Sequence, residues 1–504
     1  MGGHHSHELK DEQGGSGHST PRGSQRGASS RSGSGGDLQG LAEKSDKPPP
    51  SMVPVEKLGK LLCQRSQKED GVNGVTEKSF SKYLFPMYPE LARQFYKFVH
   101  RAGKCKNKHV TLATFRQQCE RILAMLDDAA IIDTYVRMFG ADTDDNMVTP
   151  EGFRSLLFTS YKLSMDHYPE GPQTCLMSVV HDSHEQINKT LSAVVNGCFN
   201  KKDCHSVGFV VRWLEEHCHR LIFPIHRYCV HMLATRHRDI EAAIESNGSG
   251  AGLDLATPVL ERASPLSQPT SAVLPLSVAW LLAAAAPPLY SRPVQPPQVH
   301  SGGTLASAAW LARLVCAVPS HWAPLYCSRD HGLGANRFLH HTTSYRGPTL
   351  VVFEAGELTL VVASPQEWHE THQYWGGPDC ALLQLFPTFA LIERAPKMLY
   401  LNTSIRGYPK GLRAGADPRQ PLLSVPHDFD ALTFQGAPYP LHAIQVWGCG
   451  DQASRETQLE IKKWQVREAE RQRQVKLSAA DWMEHPDRYL LELAGRPQYN
   501  NSAS

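Results

Sequence analysis

The run Cys327-Ser328-Arg329-Asp330-His331 places a possible nucleophile, a cation, an acid and a base within five residues. A cysteine attacks as its thiolate, and a neighbouring cation such as Arg329 lowers the thiol pKa. Catalytic triads, however, assemble from separate segments that converge on one substrate atom. Adjacent residues on one strand or turn do not converge in that way. The run therefore predicts no catalytic residue, and a reactive Cys327 is the alternative.

Other catalytic signatures are missing from the sequence. It contains no Gly-x-Ser-x-Gly elbow, no phosphate-binding Gly-Lys-Ser/Thr loop and no Gly-x-Gly-x-x-Gly after a strand. We therefore expect a protein that is not an enzyme and that needs no cofactor.

A cluster of cysteines and histidines lies between residues 198 and 229. Its members are Cys198, Cys204, His205, His217, Cys218, His219, His226 and Cys229. No two of them have the tight Cys-x2–4-Cys spacing that structural zinc sites favour. Several follow the spacing of buried helix faces instead, which predicts packed side chains and no metal site.

The N-terminus carries Gly2 after Met1 and Ser6 four residues beyond Gly2, the pattern of N-myristoylation. Because one myristoyl chain binds membranes only marginally, a second contact is required, and a protein partner on the membrane is the expected one. An unacylated Gly2-Gly3-His4 would instead offer nitrogen ligands to square-planar copper or nickel.

Three segments repeat one pattern: Val75-Thr76-x-x-x-Phe80, Val110-Thr111-x-x-x-Phe115 and Val148-Thr149-x-x-x-Phe153. Their spacing is close to the period of helix–loop–helix calcium modules, and Val and Phe fall where an EF-hand has loop position 8 and the start of its exiting helix. Calcium binding requires a bidentate Glu at position 12. Ser79, Thr114 and Gly152 stand there, so we expect a degenerate EF-hand-like scaffold. Asp142, Asp144 and Asp145 are the only plausible calcium donors.

Composition limits the class of protein. The 504 residues include 52 basic and 50 acidic side chains, a net charge of +2 that argues against nucleic-acid binding. A mean hydropathy of −0.37 excludes a polytopic membrane protein. The hydrophilic start predicts no secretory signal peptide, and the cysteines are expected to be reduced thiols in the cytoplasm.

Composition shifts and hydrophobic periodicity divide the chain into six predicted parts. They are a disordered tail (1–50), an EF-hand-like helical region (51–165), a helical extension (166–240), a linker (241–271), a mixed domain with two apolar helices at its start, near 272–286 and 305–318 (272–452), and a charged helix (453–495). Strands are predicted at Leu350–Phe353, Leu358–Val362, Ala381–Phe386, Met398–Asn402 and Ala443–Trp447.

The mixed domain resembles the TLDc family in a series of ordered signature residues. They are Trp322, Leu325, Tyr326, Ser328, Arg329, Gly332, Phe338, Gly347, Pro348, Trp447 and Gly448. His331, beside the usual glycine, departs from the family pattern. The resemblance implies a β-sandwich flanked by helices, without established catalytic residues. Trp322, Tyr326, Phe338 and Trp447 are expected to be core anchors of that sandwich, because large aromatics dominate core burial.

The acylation pattern, the EF-hand-like region and the charged helix after the domain are similar to the lysosomal, mTOR-associated branch of TLDc proteins. That resemblance implies an α+β multidomain protein, peripheral on the lysosomal membrane through myristate. It also implies binding to the peripheral subunits of the vacuolar proton pump and a role in TOR signalling. Other TLDc proteins protect cells from oxidative stress, which is the context for the alternative of a reactive cysteine.

The predicted C-terminal helix carries a sparse apolar stripe among many charges, formed by Leu459, Trp464, Val466, Val475 and Leu477. The helix either lies along a partner, with Trp464 as the candidate partner-binding residue, or is solvated and supported by i,i+4 charge pairs.

The acylation pattern makes a direct prediction. A Gly2→Ala chain lacks the amine that the acyl chain requires, so it is expected to move from the membrane pellet to the soluble fraction of a cell lysate. Unchanged sedimentation would contradict the tether.

Overall fold

The computed structural model describes residues 53–140, 146–168, 182–238, 257–261, 274–291 and 320–473, with residues 490 and 493. All of them belong to one compact unit. Gly2, the predicted tail, the apolar helix near 305–318 and the aspartates at 142, 144 and 145 lie outside the described residues. No helix in the described part is long and apolar enough to cross a membrane.

The first half of the described chain is helical, apart from three two-residue strands. Its longer helices are α1 (Val53–Asp70), α2 (Glu77–Tyr83), α3 (Pro89–Ala102), α4 (Leu112–Leu123), α5 (Asp128–Met138), α6 (Pro150–Asp166), α7 (His184–Phe199), α8 (Val207–His217), α9 (Phe223–Thr235) and α10 (Leu276–Ala285). A short helix, α11 (Pro288–Ser291), follows α10. Proline at the first turn of α3 and α6 suits a position that needs no backbone donor.

The loops of the first two repeats pair with each other. Val75 and Val110 exchange two backbone hydrogen bonds, with N–O distances of 2.8 and 3.0 Å. Thr76 and Thr111 then cap α2 and α4, because each threonine oxygen accepts from the backbone N–H three residues on. Val75 and Val110, the equivalent valines of the first two repeats, are thus paired across the two loops.

The third loop pairs with a fourth that sequence reasoning missed. Strand β1 (Met147–Val148) is antiparallel to β2 (His205–Ser206), and Ser206 caps α8 as Thr149 caps α6. The fourth loop has His205 and Ser206 in place of the Val-Thr pair, so the pattern did not reveal it. The first backbone N–H groups of a helix have no partner within the helix. All four loops therefore end in a threonine or serine whose hydroxyl accepts from one of them.

Polar side chains, not a carboxylate at position 12, hold the first loop. Ser66 Oγ donates to Ser79 Oγ over 2.8 Å inside the protein. Asp70 accepts from Thr76 Oγ1 at 2.9 Å and from Lys78 Nζ at 3.2 Å. In the third loop, a Cβ on Gly152 would lie 2.4 Å from the Phe139 carbonyl oxygen. A glutamate at that position would require the backbone to move.

Helix α10 is apolar on every side, and all ten of its residues are buried, as expected for a helix surrounded by protein. Its first turn has no capping side chain of its own. Instead, Asp182 accepts from the N–H groups of Leu276 and Ser277 at 2.9 and 2.7 Å. Arg220 donates to the Ala283 and Ala286 carbonyls at its end. The charges suit the helix dipole at both ends and fix α10 in the helical region.

The second half is mostly strands, and the last two-residue strand of the first half, β3, joins them in one sheet. They are β3 (Val259–Leu260), β4 (His321–Cys327), β5 (Thr349–Ala355), β6 (Leu358–Ser364), β7 (Ala381–Phe386), β8 (Ala390–Arg394), β9 (Leu399–Asn402), β10 (Gly411–Ala414), β11 (Leu423–Val425), β12 (Ala431–Phe434), β13 (Ala437–Pro440) and β14 (Ala443–Gly448). Helices α12 (Ser328–His331) and α13 (Ala335–Thr342) follow β4, and α14 (Gln452–Arg473) follows the last strand. The predicted α+β class is confirmed.

The strands form two sheets. One has the order β3-β4-β14-β5-β6-β7-β8, and the other has the order β13-β12-β11-β10-β9. All neighbours are antiparallel except β3 and β4. Strand β3 lies within the predicted linker 241–271. The five predicted strands are confirmed as β5, β6, β7, β9 and β14.

The seven-stranded sheet is buried on both faces. Along β5, Leu350 and Val352 belong to the apolar cluster of the helices, whereas Val351 and Phe353 belong to the interior between the two sheets. The molecule therefore has three layers: helices, the seven-stranded sheet and the five-stranded sheet.

Two of the expected anchors face a different core from the predicted one. All four aromatics are buried, and Tyr326 and Phe338 lie between the sheets as expected. Trp322 and Trp447 instead pack on the helical side. Trp447 follows Val446, which faces the other sheet, and the pairing of β4 with β14 shifts register between these two residues. Trp322 Nε1 also donates to the Tyr290 carbonyl at 2.8 Å. Placing these two tryptophans inside the sandwich was wrong.

Acidification is expected to destabilise the helical region. Burial lowers the pKa of His226, whose Nδ1 lies 3.3 Å from the Tyr135 hydroxyl, to about 4. Between the ordinary histidine pKa of 6.5 and 4, the unfolded chain binds a proton that the folded chain does not. Folding stability is therefore lost as the pH falls, by about 2 kcal/mol for this residue at pH 5.

Urea unfolding at pH 7.5 and pH 5 measures this loss. A His226→Gln chain is expected to lose about 2 kcal/mol less between the two pH values than the parent chain. Equal losses in the two chains would contradict this assignment.

Candidate functional site

Ser328 of the predicted signature ties strands together. It lies at the start of α12 and is buried, and its Oγ accepts from the Ile444 N–H of β14 at 2.9 Å. The hydroxyl thus takes the place of a backbone carbonyl as the acceptor for β14, at the point where β4 ends and α12 begins. This contact gives Ser328 a structural role in the sheet.

Arg329 belongs to a chain of polar side chains across three elements. Its guanidinium donates to Glu354 Oε2 at 2.6 Å, and Gln445 Nε2 donates to the other carboxylate oxygen at 3.0 Å. Trp447 Nε1 donates in turn to Gln445 Oε1 at 3.3 Å. Gln445 is buried, so these bonds satisfy an amide that would otherwise be costly inside the protein. Arg329 is therefore engaged with Glu354.

The alternative of a Cys327 thiol activated by Arg329 is not supported by its surroundings. Burial is the largest influence on this thiol and raises its pKa, and the hydrogen bonds that oppose this effect are smaller. His331 does not act as its base, because His331 Nδ1 accepts from the Cys327 backbone N–H at 3.2 Å. The local support for a reactive cysteine is thus lost.

The signature glycines surround a residue that sequence reasoning missed, Tyr345. A Cβ on Gly448 would lie 2.6 Å from the Tyr345 ring, and one on Gly347 would lie 3.0 Å from both that ring and Gly450. The Tyr345 hydroxyl accepts from the Gly450 N–H at 2.8 Å. A side chain at either glycine would displace the ring. The signal in the sequence was that Tyr345 is the only Phe, Tyr or Trp between Phe338 and Gly347.

The remaining signature residues also support the domain from within. Gly332 has a φ of +80° and packs against Arg337, while its carbonyl accepts from the Tyr326 hydroxyl at 2.8 Å. Leu325 is buried between the sheets. The Pro348 carbonyl accepts from the Cys449 N–H at 2.7 Å. The signature residues thus stabilise the part of the domain around β4 and β14.

Helix α14 is rooted on the sheet domain through its first turns. Gln458 is fully buried, and its Nε2 donates to the His341 and Thr343 carbonyls at 2.9 and 3.3 Å. Lys462 Nζ lies 3.4 Å from the His341 carbonyl, and burial lowers its pKa to about 8. These donors satisfy carbonyls at the end of α13 and place a positive charge at the negative end of its dipole.

Beyond its root, α14 exposes apolar side chains. Trp464 is 60% exposed, Val466 58% and Leu459 41%. Val475 and Leu477, which complete the predicted stripe, lie outside the described residues. Arg471 and Glu468 form one i,i+3 pair at 2.9 Å. An exposed tryptophan on a fixed helix has the chemistry of a protein-binding anchor.

The predicted cysteine and histidine cluster is dispersed through the helical region. Cys198, Cys218 and Cys229 are buried, and burial raises the pKa of each thiol. Among the described residues, no three His, Cys, Asp or Glu side chains are grouped as metal ligands. These three cysteines contribute to the packing of the helical region.

The described residues thus form a two-sheet β domain covered by helices, with an exposed tryptophan on a helix that is anchored at Gln458. Residues 301–442 match the family model described as TLDc domain, so the chain contains a TLDc domain. The chain is also similar to Restriction of telomere capping protein 5 from Neurospora crassa. The two are 26% identical over 182 residues, covering 28% of this chain and 30% of the relative.

The root of α14 makes a local prediction. Gln458→Ala removes two bonds to partly buried carbonyls, and a buried group left unsatisfied costs about 1–3 kcal/mol. Amide exchange in residues 452–466 is expected to become roughly tenfold faster or more. The matched Gln465→Ala change, at an exposed position, is expected to leave exchange unaltered. Equal rates in the two variants would show that Gln458 does not anchor the helix.

Proposed function

We propose that this chain is a non-enzymatic TLDc adaptor, held on the lysosomal membrane by a myristoyl group on Gly2. It docks on the peripheral sector of the vacuolar proton pump and supports TOR signalling. The observation that carries the docking role is α14, which is fixed at Gln458 and exposes Trp464.

The state of the signature residues supports a docking role over a catalytic one. Ser328 is bound to β14, Arg329 to Glu354, and His331 to the Cys327 N–H. A nucleophile requires a base within hydrogen-bond reach and an accessible reacting atom. These side chains instead brace β4, β5 and β14, which is the role of a scaffold.

The helical region serves in this proposal as a degenerate EF-hand-like scaffold. Its four loops form two pairs, and a threonine or serine caps the exiting helix of each loop. The Ser66–Ser79 bond holds the first loop without a carboxylate at position 12, and the crowding at Gly152 leaves no room for one at that position of the third repeat.

The identity of the partner rests on the resemblance to the lysosomal, mTOR-associated TLDc branch. The Neurospora protein is named for restriction of telomere capping, and the match spans less than a third of its length. Fold similarity alone does not transmit a partner. The experiment therefore has to identify both the residue and the partner.

Trp464→Ala is expected to weaken capture of the pump's peripheral sector from lysosomal membranes by about 30-fold, because an aromatic hot spot contributes about 2 kcal/mol or more. Its own fold should be unaffected, since the side chain is exposed. Tyr408→Ala removes another exposed aromatic, 47% exposed in the loop before β10, and serves as the control. Full capture by Trp464→Ala, or equal loss with the control, would overturn the docking role.

A further inference from the structure

The stretch from Leu91 to Cys119 concentrates positive charge. It holds seven basic residues and no Asp or Glu, in a chain whose net charge is only +2. Four of the seven lie within residues 101–109, which span the end of α3 and the second loop and which we call the basic loop. They are Arg101, Lys104, Lys106 and Lys108. The proposed function uses Gly2 and α14 and assigns no role to these basic residues.

The backbone of the basic loop is held from the inside. The Tyr96 hydroxyl donates to the Lys108 carbonyl at 3.1 Å, and His100 Nε2 lies 2.6 Å from the Asn107 carbonyl. The Cys105 N–H donates to the His100 carbonyl at 3.1 Å, and Val110 is bonded to Val75. The loop therefore has a fixed shape, and a ligand would not have to order it.

The lysine side chains project from this fixed backbone into solvent. Lys104, Lys106 and Lys108 are all exposed, and none forms an ion pair with a residue that the structure describes. The paired loop does not neutralise them. Its two carboxylates, Glu69 and Asp70, are bound to Lys82 and Lys78 at 2.9 and 3.2 Å. Three unpaired ammonium groups thus alternate along five residues.

We propose that the basic loop docks on the anionic lipid headgroups of a membrane. A headgroup layer is a broad negative surface, and point charges on flexible lysines suit it without specific geometry. The intervening side chains, Cys105 and Asn107, offer no aromatic surface on which nucleic-acid bases would stack. The inference rests on the proposed function for its setting, since one myristoyl chain requires a second membrane contact.

The energetics set the scale of the effect. A lysine near an anionic surface strengthens binding by about fivefold, so three together contribute on the order of a hundredfold. The attraction is screened by salt, because the Debye length shortens to a few ångströms at high ionic strength.

The test uses the full 504-residue chain made without acylation, so that the myristoyl group plays no part. Flotation measures its binding to phosphatidylcholine vesicles with and without about 30 mol% phosphatidylserine. We expect salt-sensitive binding only to the anionic vesicles. The triple variant Lys104→Gln, Lys106→Gln, Lys108→Gln is expected to lose on the order of a hundredfold in affinity.

The matched control carries Lys202→Gln, Lys397→Gln and Lys410→Gln. These lysines are also exposed, and Lys397 has a φ of +56°, close to the +48° of Lys104. The control changes net charge equally and is expected to lose little affinity. Equal losses in the two variants, equal binding to neutral vesicles, or tighter binding to a duplex RNA at the same salt would overturn the proposal.

The two membrane contacts, the acyl tether and the basic loop, can be tested independently of each other. If Gly2→Ala stays on cell membranes while the triple lysine variant loses the vesicles, the tether is wrong and the basic loop stands. If Gly2→Ala is released and the unacylated chain ignores anionic vesicles, the tether stands and the basic loop is wrong.

Discussion

The seven-stranded sheet contributes to two hydrophobic cores, because both of its faces are buried. Alternate residues of β5 pack against the helices and against the second sheet. Strand residues alternate between faces, so a slip by one residue would exchange the two cores. The helical region is also locked to the sheet edge: the Phe389 N–H donates to the Ala193 carbonyl at 2.9 Å, and Gly197 leaves no room for a Cβ beside Phe389.

This arrangement gives the polar residues of the signature structural partners within the sheet. Ser328, Arg329 and Gln445 connect β4, β5 and β14 at the centre of that sheet. Ser328 and Gln445 are buried, and their bonds satisfy polar groups that would be costly to leave unpaired. At the periphery, α14 and the basic loop each present exposed side chains on a fixed backbone.

The sequence predicted what short-range patterns encode. The strands β5 and β6, joined at Gly356, followed from apolar runs and a turn, and α10 followed from its apolar composition. The two-sided burial was signalled by unbroken runs such as Leu350–Phe353, which lack polar alternation. Strand β4 was missed because Pro324 interrupts it, and the fourth loop because His205 replaces valine. Long-range partners such as Asp182, 94 residues before Leu276, leave no local pattern.

Electron cryomicroscopy of this chain on the pump, isolated from lysosomal membranes, tests the docking account most directly. The account predicts density for the TLDc domain against the peripheral sector, with α14 in the interface and Trp464 buried by a pump subunit. A complex in which Trp464 faces solvent would contradict it. So would contact made through the Cys327–His331 run with a bound small molecule.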